Sequence, residues 1–125
     1  MVSKFPDESA STIVETYLTD EPSASSRIFR VYCPIPRHCH ETCEEHLYLL
    51  TGKVSFVIEG EAPRVLEAGQ LVTFERNTIH AITEVLEAPA VFLTVDAPRR
   101  VPSDVMYVNP DDAKIRPFVI HLEDL

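Results

Sequence analysis

Long apolar runs are missing from this sequence. The most continuous ones, such as Ala90-Val91-Phe92-Leu93, are strand-length and fall far short of the roughly 20 residues a helix needs to cross a bilayer. No membrane partner is therefore expected. The N-terminal stretch Met1-Val2-Ser3-Lys4-Phe5-Pro6-Asp7-Glu8-Ser9 has no basic region followed by an apolar run, the pattern of a secretory signal, and a cytoplasmic location is the expectation. Positive charge is scarce as well: 11 Lys and Arg stand against 20 Asp and Glu, for a net charge of −9. Such a chain repels a polyphosphate backbone, which argues against a nucleic-acid partner. The cysteines are only Cys33, Cys39 and Cys43, an odd number that speaks against a disulfide scaffold. Glycine is limited to 3 residues while proline reaches 10. Proline lacks the amide hydrogen and clashes with the preceding turn, so helix is expected only as a turn or two near Pro110-Asp111-Asp112-Ala113-Lys114. There is no internal repeat and no low-complexity tract.

What is present is strand-like. Runs rich in β-branched and aromatic residues recur at Thr12–Leu18, Arg27–Cys33, His46–Thr51, Lys53–Glu59, Gln70–Phe74, Ala81–Leu86 and Val91–Val95. Each is bounded by residues that break or turn the chain. In Arg27–Cys33, Phe29, Val31 and Cys33 share one face by strand parity, and that face is expected to be buried. The pattern predicts an all-β chain forming one domain over residues 1–125, a sandwich or a closed barrel such as a jelly roll. The barrel core is expected at about residues 12–97. Residues 98–125 form an apolar extension that packs on the barrel or on a partner subunit.

The informative segment is Pro36-Arg37-His38-Cys39-His40-Glu41-Thr42-Cys43-Glu44-Glu45-His46. On an extended strand His38 and His40 project to one face, with Cα atoms roughly 7 Å apart, within reach of one metal ion. Cys39 points the other way. Glu45 would fall on the wrong face of a straight strand, so Glu41-Thr42-Cys43-Glu44 must turn or bulge for its carboxylate to join them. Further on, Gly69 opens a turn, a strand follows, and a second polar turn delivers His80.

These two segments resemble the motifs of the cupin superfamily, a first motif Gly-x5-His-x-His-x(3,4)-Glu-x6-Gly and a second Gly-x5-Pro-x-Gly-x2-His-x3-Asn. His38, His40, Glu45 and Gly52 fall at the first spacing, and Gly69 and His80 at the second, with 16 residues between Gly52 and Gly69. The resemblance spans about residues 27–97. Tyr32, Glu75, Asn77 and Glu84 stand where the motifs carry glycine, proline, glycine and asparagine. None of these is a ligand position, and asparagine tolerates the left-handed backbone a glycine would supply. The resemblance implies a double-stranded β-helix, or jelly-roll barrel, with His38, His40, Glu45 and His80 as metal ligands, and a homodimer.

Three imidazoles and a carboxylate suit Fe, Mn, Ni, Co or Zn as the divalent ion. With one Glu the site would carry a charge of about +1, which favours a small, anionic substrate or ligand. Dioxygenation of a chelating compound is the leading expectation. A redox-neutral sugar or uronate isomerase, cyclase or lyase is the alternative, and a non-catalytic metal- or ligand-binding module is a third. Asp96-Ala97-Pro98-Arg99-Arg100 follows the last strong strand and is a candidate for the pocket. Cys33 reads as a small core residue, Cys43 as a free thiol in the turn, and Tyr48 and Phe56 as core aromatics. His46 and His121 lack the parity or the spacing of ligands.

Overall fold

The computed structural model describes residues 2–125. Nine strands follow one another: β1 Ile13–Glu21, β2 Ala24–Val31, β3 Ile35–Cys39, β4 Glu44–Ile58, β5 Arg64–Glu67, β6 Leu71–Phe74, β7 His80–Ala97, β8 Met106–Tyr107 and β9 Val119–His121. They form one sheet in the order β5-β4-β7-β2-β1-β9, with β6 added to β4, β3 to β7 and β8 to β3. Helix is confined to short 3-10 turns, one of them Pro110–Lys114, where the Asn109 side chain accepts a hydrogen bond from the Asp111 amide. Among the described residues no helix is long and apolar enough to cross a membrane.

The two long strands close the barrel. β4 and β7 run antiparallel from Glu44↔Ala97 to Ile58↔His80. Along β4, β6 pairs with Glu45–Tyr48 and β5 with Lys53–Phe56. Along β7, β3 pairs near its start, at His80 and Ile82, and β2 with Ala90–Asp96. Each long strand thus changes neighbours midway, and the sheet curls into a jelly roll.

Four of the expected strand runs are therefore halves of two. His46–Thr51 and Lys53–Glu59 join in β4, and Ala81–Leu86 and Val91–Val95 in β7. The expected break at Gly52 is a bend with shifted register instead. Gly52 has φ +90°, and a Cβ there would lie 2.5 Å from the Pro89 carbonyl oxygen and 2.7 Å from that of Glu87. Backbone meets backbone at the point where the strand pair turns, a close approach only glycine permits.

Inward positions fill the barrel with Val31, Leu49, Val54, Phe56 and their neighbours, and Phe29 stacks on Phe92 with ring centroids 5.1 Å apart. β2 is buried on both faces, because Phe5 packs with Val14, Ile28 and Val91 on its outer side. The expectation of a single buried face holds only for the inner row. Cys33 is a correction: it lies beyond the end of β2, half-buried, with Arg116 Nη1 3.4 Å from its sulfur. Residues after β7 fold back on the barrel, where β8 pairs with β3 and β9 runs parallel to β1.

Replacing Gly52 with alanine should cost more than about 2 kcal/mol, since left-handed strain adds to a clash with β7 backbone. A lowered urea midpoint with little change in the slope of the transition would record it.

Candidate metal centre

Strand pairing brings the histidines together. His38 on β3 lies directly opposite His80, the first residue of β7. His40 follows β3, and its carbonyl accepts the Asn77 amide at 2.8 Å. Asn77 takes φ +62°, so the turn that launches β7 is tied to the turn that leaves β3. The His80 ring lies flat against Phe74 at 3.9 Å, with 10° between the planes.

The turn between His40 and Glu45 is held from a distance in sequence. Asp104 accepts hydrogen bonds from the amides of Glu41 (2.7 Å) and Thr42 (2.9 Å) and from the Thr42 hydroxyl (2.6 Å). Burial works against the Asp104 carboxylate, but these donors outweigh it and hold its pKa below the ordinary value. The reversal brings Glu45 back to the inside of β4, where it is buried.

Each imidazole is oriented by a main-chain carbonyl at Nδ1: Pro36 for His38 (2.7 Å), Asp104 for His40 (2.6 Å) and Thr78 for His80 (2.8 Å). A carbonyl can only accept, so Nδ1 carries a proton, and in the neutral ring each Nε2 then presents a bare lone pair. The donor atoms of the three rings lie within 4.8 Å of one another, and all three residues are buried. Glu45 Oε1 stands 3.2 Å from His40 Nε2 and 3.3 Å from His80 Nε2. With the rings neutral, neither atom of these pairs carries a proton, and His80 Nε2 has no hydrogen-bond partner. Lone pairs gathered in this way repel unless a cation sits among them. Donors around one ion at about 2.1 Å stand about 3 Å apart when adjacent and about 4.2 Å when opposite. The residues present fit a metal ion.

The surroundings support the same reading. Arg27 donates through Nη2 to Glu45 Oε2 (2.9 Å), through Nη1 to Glu15 Oε1 (3.1 Å) and through Nε to Asp96 Oδ2 (3.0 Å). Arg100 Nη1 lies 3.4 Å from Glu45 Oε2 and 3.4 Å from His40 Nε2. Burial alone would raise the pKa of Glu45, but the charge of the neighbouring Arg100 works against it and the carboxyl is held well below the ordinary carboxylate value. Burial, and then the neighbouring His80 and His40, push the pKa of His38 down to about 3. Four buried carboxylates, Glu15, Glu45, Asp96 and Asp104, stand against the two buried guanidiniums of Arg27 and Arg100, an excess of negative charge that a dication would offset.

A narrow cavity of about 30 Å³ reaches this cluster. His38, His40, Glu45, His80, Arg27 and Arg100 form its polar end, and Ile13, Phe29, Ile35, Leu47, Phe74, Ile82 and Phe118 its apolar walls.

Among the other residues singled out in the sequence, Asp96 and Arg100 reach the site, whereas Arg99 pairs on the surface with Asp20 at 2.7 Å. Cys43 is a buried thiol whose pKa burial pushes up to about 11, and no cysteine joins the donor cluster. His46 turns outward to Thr73, and Phe56 is core. Tyr48 is a correction: it is exposed, because its strand position faces away from the barrel interior. His121 is no member of the cluster but reaches the Glu15 carboxylate at 3.4 Å. Sequence reasoning missed Arg27, Glu15, Asp104 and Phe118. Arg27 left a signal, since it shares strand parity with Phe29 and Val31 and a charge on a buried row calls for partners. Asp104 left none.

The cupin-domain profile matches residues 32–96 of the chain. No curated protein matches it by sequence. Among solved structures it is similar to KdgF from Halomonas sp., with TM-score 0.64, 20% identity, 71% of this chain and 82% of that one. It is also similar to the DMSP lyase DddQ from Ruegeria pomeroyi DSS-3, with TM-score 0.68, 20% identity, 80% of this chain and 53% of that one. A third, the nucleoside dehydratase Pac13 from Streptomyces, matches with TM-score 0.65 and 20% identity over 87% of this chain and 88% of that one. With its family profile covering more than half of the residues and its strands closed into a jelly roll, the chain belongs to the cupin family.

Proposed function

We propose that the chain is a metal-dependent enzyme, holding one divalent transition-metal ion through Nε2 of His38, His40 and His80 and Oε1 of Glu45, and acting on a small anionic metabolite. The observation that carries this reading is the convergence of three bare imidazole nitrogens and one carboxylate oxygen, each with its other heteroatom already engaged. Fe, Mn, Ni, Co and Zn all suit that donor set. The ion, when bound, supplies Lewis acidity toward a carbonyl or carboxylate oxygen of the substrate.

The chain's own residues do the rest. Arg100 stands beside the donors with a guanidinium suited to an anionic group on the substrate. The apolar wall of Ile35, Ile82 and Phe118 keeps bulk water from that end of the cavity and strengthens each electrostatic contact there. A fixed positive donor next to the ligand shell favours reactions in which negative charge builds up on substrate oxygen, as in proton abstraction followed by elimination or isomerisation. The neighbours named as a lyase and a dehydratase carry out eliminations of that redox-neutral kind. This turns the preference from dioxygenation, which the same donors also serve, to a lyase, dehydratase or isomerase.

Purified without added metal or chelator, the protein should carry close to one equivalent of a divalent transition metal by elemental analysis. His80→Ala should lower the affinity for that ion at least about 100-fold. Turnover of a uronate or other hydroxy-acid panel without oxygen consumption is the expected result. Substrate-dependent oxygen uptake would instead support the dioxygenase reading, and wild-type affinity in His80→Ala would overturn the ligand set.

The metal-free protein should also lose stability on acidification in a defined window. Folded His38 stays neutral down to about pH 3, while the unfolded side chain takes up a proton near its ordinary value of 6.5. The unfolded state then binds more protons, so the contribution is intact above pH 6.5 and is lost as pH falls toward 3. Denaturant midpoints between pH 7 and 5 should fall for the wild type and flatten for His38→Gln.

A further inference from the structure

Behind Glu45 lies a group that the metal reading leaves without a task. Arg27 on β2 is only 2% exposed. Its guanidinium is held on three sides by carboxylates from three different strands: Glu15 of β1, Glu45 of β4 and Asp96 of β7. Removing a guanidinium and its partners from water is costly, and an apolar side chain of similar volume often serves folding as well or better. Packing alone does not call for arginine at this position.

What Arg27 does is specific to one oxygen. Its Nη2 takes Glu45 Oε2 at 2.9 Å, leaving Oε1 as the oxygen that faces His40 and His80. The last torsion of a glutamate is broad, so an unrestrained carboxylate would present either oxygen, or both. One guanidinium nitrogen reaches Glu45 while the other two are anchored elsewhere, so the rigid fork holds its donor at Oε2 in a way a flexible lysine ammonium does not. Asp96 and Glu15 hold Nε and Nη1, so the fork cannot swing to follow Glu45. Arg100 has a looser relation to the same carboxylate, at 3.4 Å.

Resting on the assignment of Glu45 as a ligand, we propose that Arg27 is a positioning residue for the metal centre: it fixes Glu45 as a one-oxygen donor through Oε1. It acts through Glu45.

Cobalt(II) titration of the metal-free protein tests this, read by the visible ligand-field spectrum and by competition with a chromophoric chelator. Wild-type protein should bind one equivalent. Arg27→Met should weaken binding about 10- to 100-fold and alter the band positions and intensities, as loss of a group that orients a ligand does. Arg27→Lys, which keeps the charge without the fork, should show the same spectral change with a smaller loss of affinity. Glu15→Gln, which keeps an oxygen to accept from Nη1 and removes only the charge of that contact, should lower the unfolding midpoint and alter the spectrum less than either Arg27 variant does.

Wild-type spectra and affinities within about threefold in both Arg27 variants would overturn the proposal while leaving the metal site intact. So would a spectrum changed as much by Glu15→Gln as by Arg27→Lys. If Arg27→Met does not fold, the comparison of Arg27→Lys with Glu15→Gln decides alone. A wild-type protein that takes up no cobalt would remove the metal reading itself, and the role of Arg27 with it.

Discussion

Pairing of β4 with β7 along almost their full length is the constraint on which the molecule depends. It sets Glu45 opposite Asp96 at one end and Ile58 opposite His80 at the other, so one strand pair spans the barrel and carries both Glu45 and His80. The bend in that pair lets each strand serve two sets of neighbours. Without the bend, β2 and β3 could not both reach β7, and His38 would have no route to His80. The close contact at Gly52 therefore acts on geometry well away from itself, through register.

Charge is arranged around this frame in an unusual way for a protein interior. Buried carboxylates and guanidiniums are normally paired because an isolated ion in a low-dielectric region is strongly penalised. Here Arg27 gathers three carboxylates, and the imidazole nitrogens that complete the cluster bring no positive charge of their own, since main-chain carbonyls keep their protons on the outer nitrogen. The interior is left short of a cation. A group of side chains that folding alone would disfavour is thereby suited to a cation.

Much of this was readable in the residues, for definite reasons. Strand parity identifies His38 and His40 as one face, and the need for a reversal before Glu45 follows from counting positions. The turn is where sequence reading stops. Its stabilising group, Asp104, lies more than sixty residues away in the chain, and nothing local in Thr42 or Glu41 announces an acceptor from the far side of the molecule. The merged strands were hidden for a related reason. Glycine and proline at 52 and 89 look like punctuation, and only the approach of two backbones shows that they mark bends in continuous strands. Arg27 was legible by parity, but its three partners come from β1, β4 and β7, and no local spacing connects them.

The bond from His40 Nδ1 to the Asp104 carbonyl has a consequence for the order of assembly. Every donor of the proposed centre lies at or before residue 80, and the strands that line the barrel end at Ala97. The carbonyl that orients His40, and the carboxylate that clamps the turn leading to Glu45, arrive only with the segment that follows. On a chain made from its N-terminus, the barrel can close before its centre is tuned. The orientation of His40 and the clamp on the turn before Glu45 are thus completed last, by a strap of chain that supplies none of the clustered imidazoles.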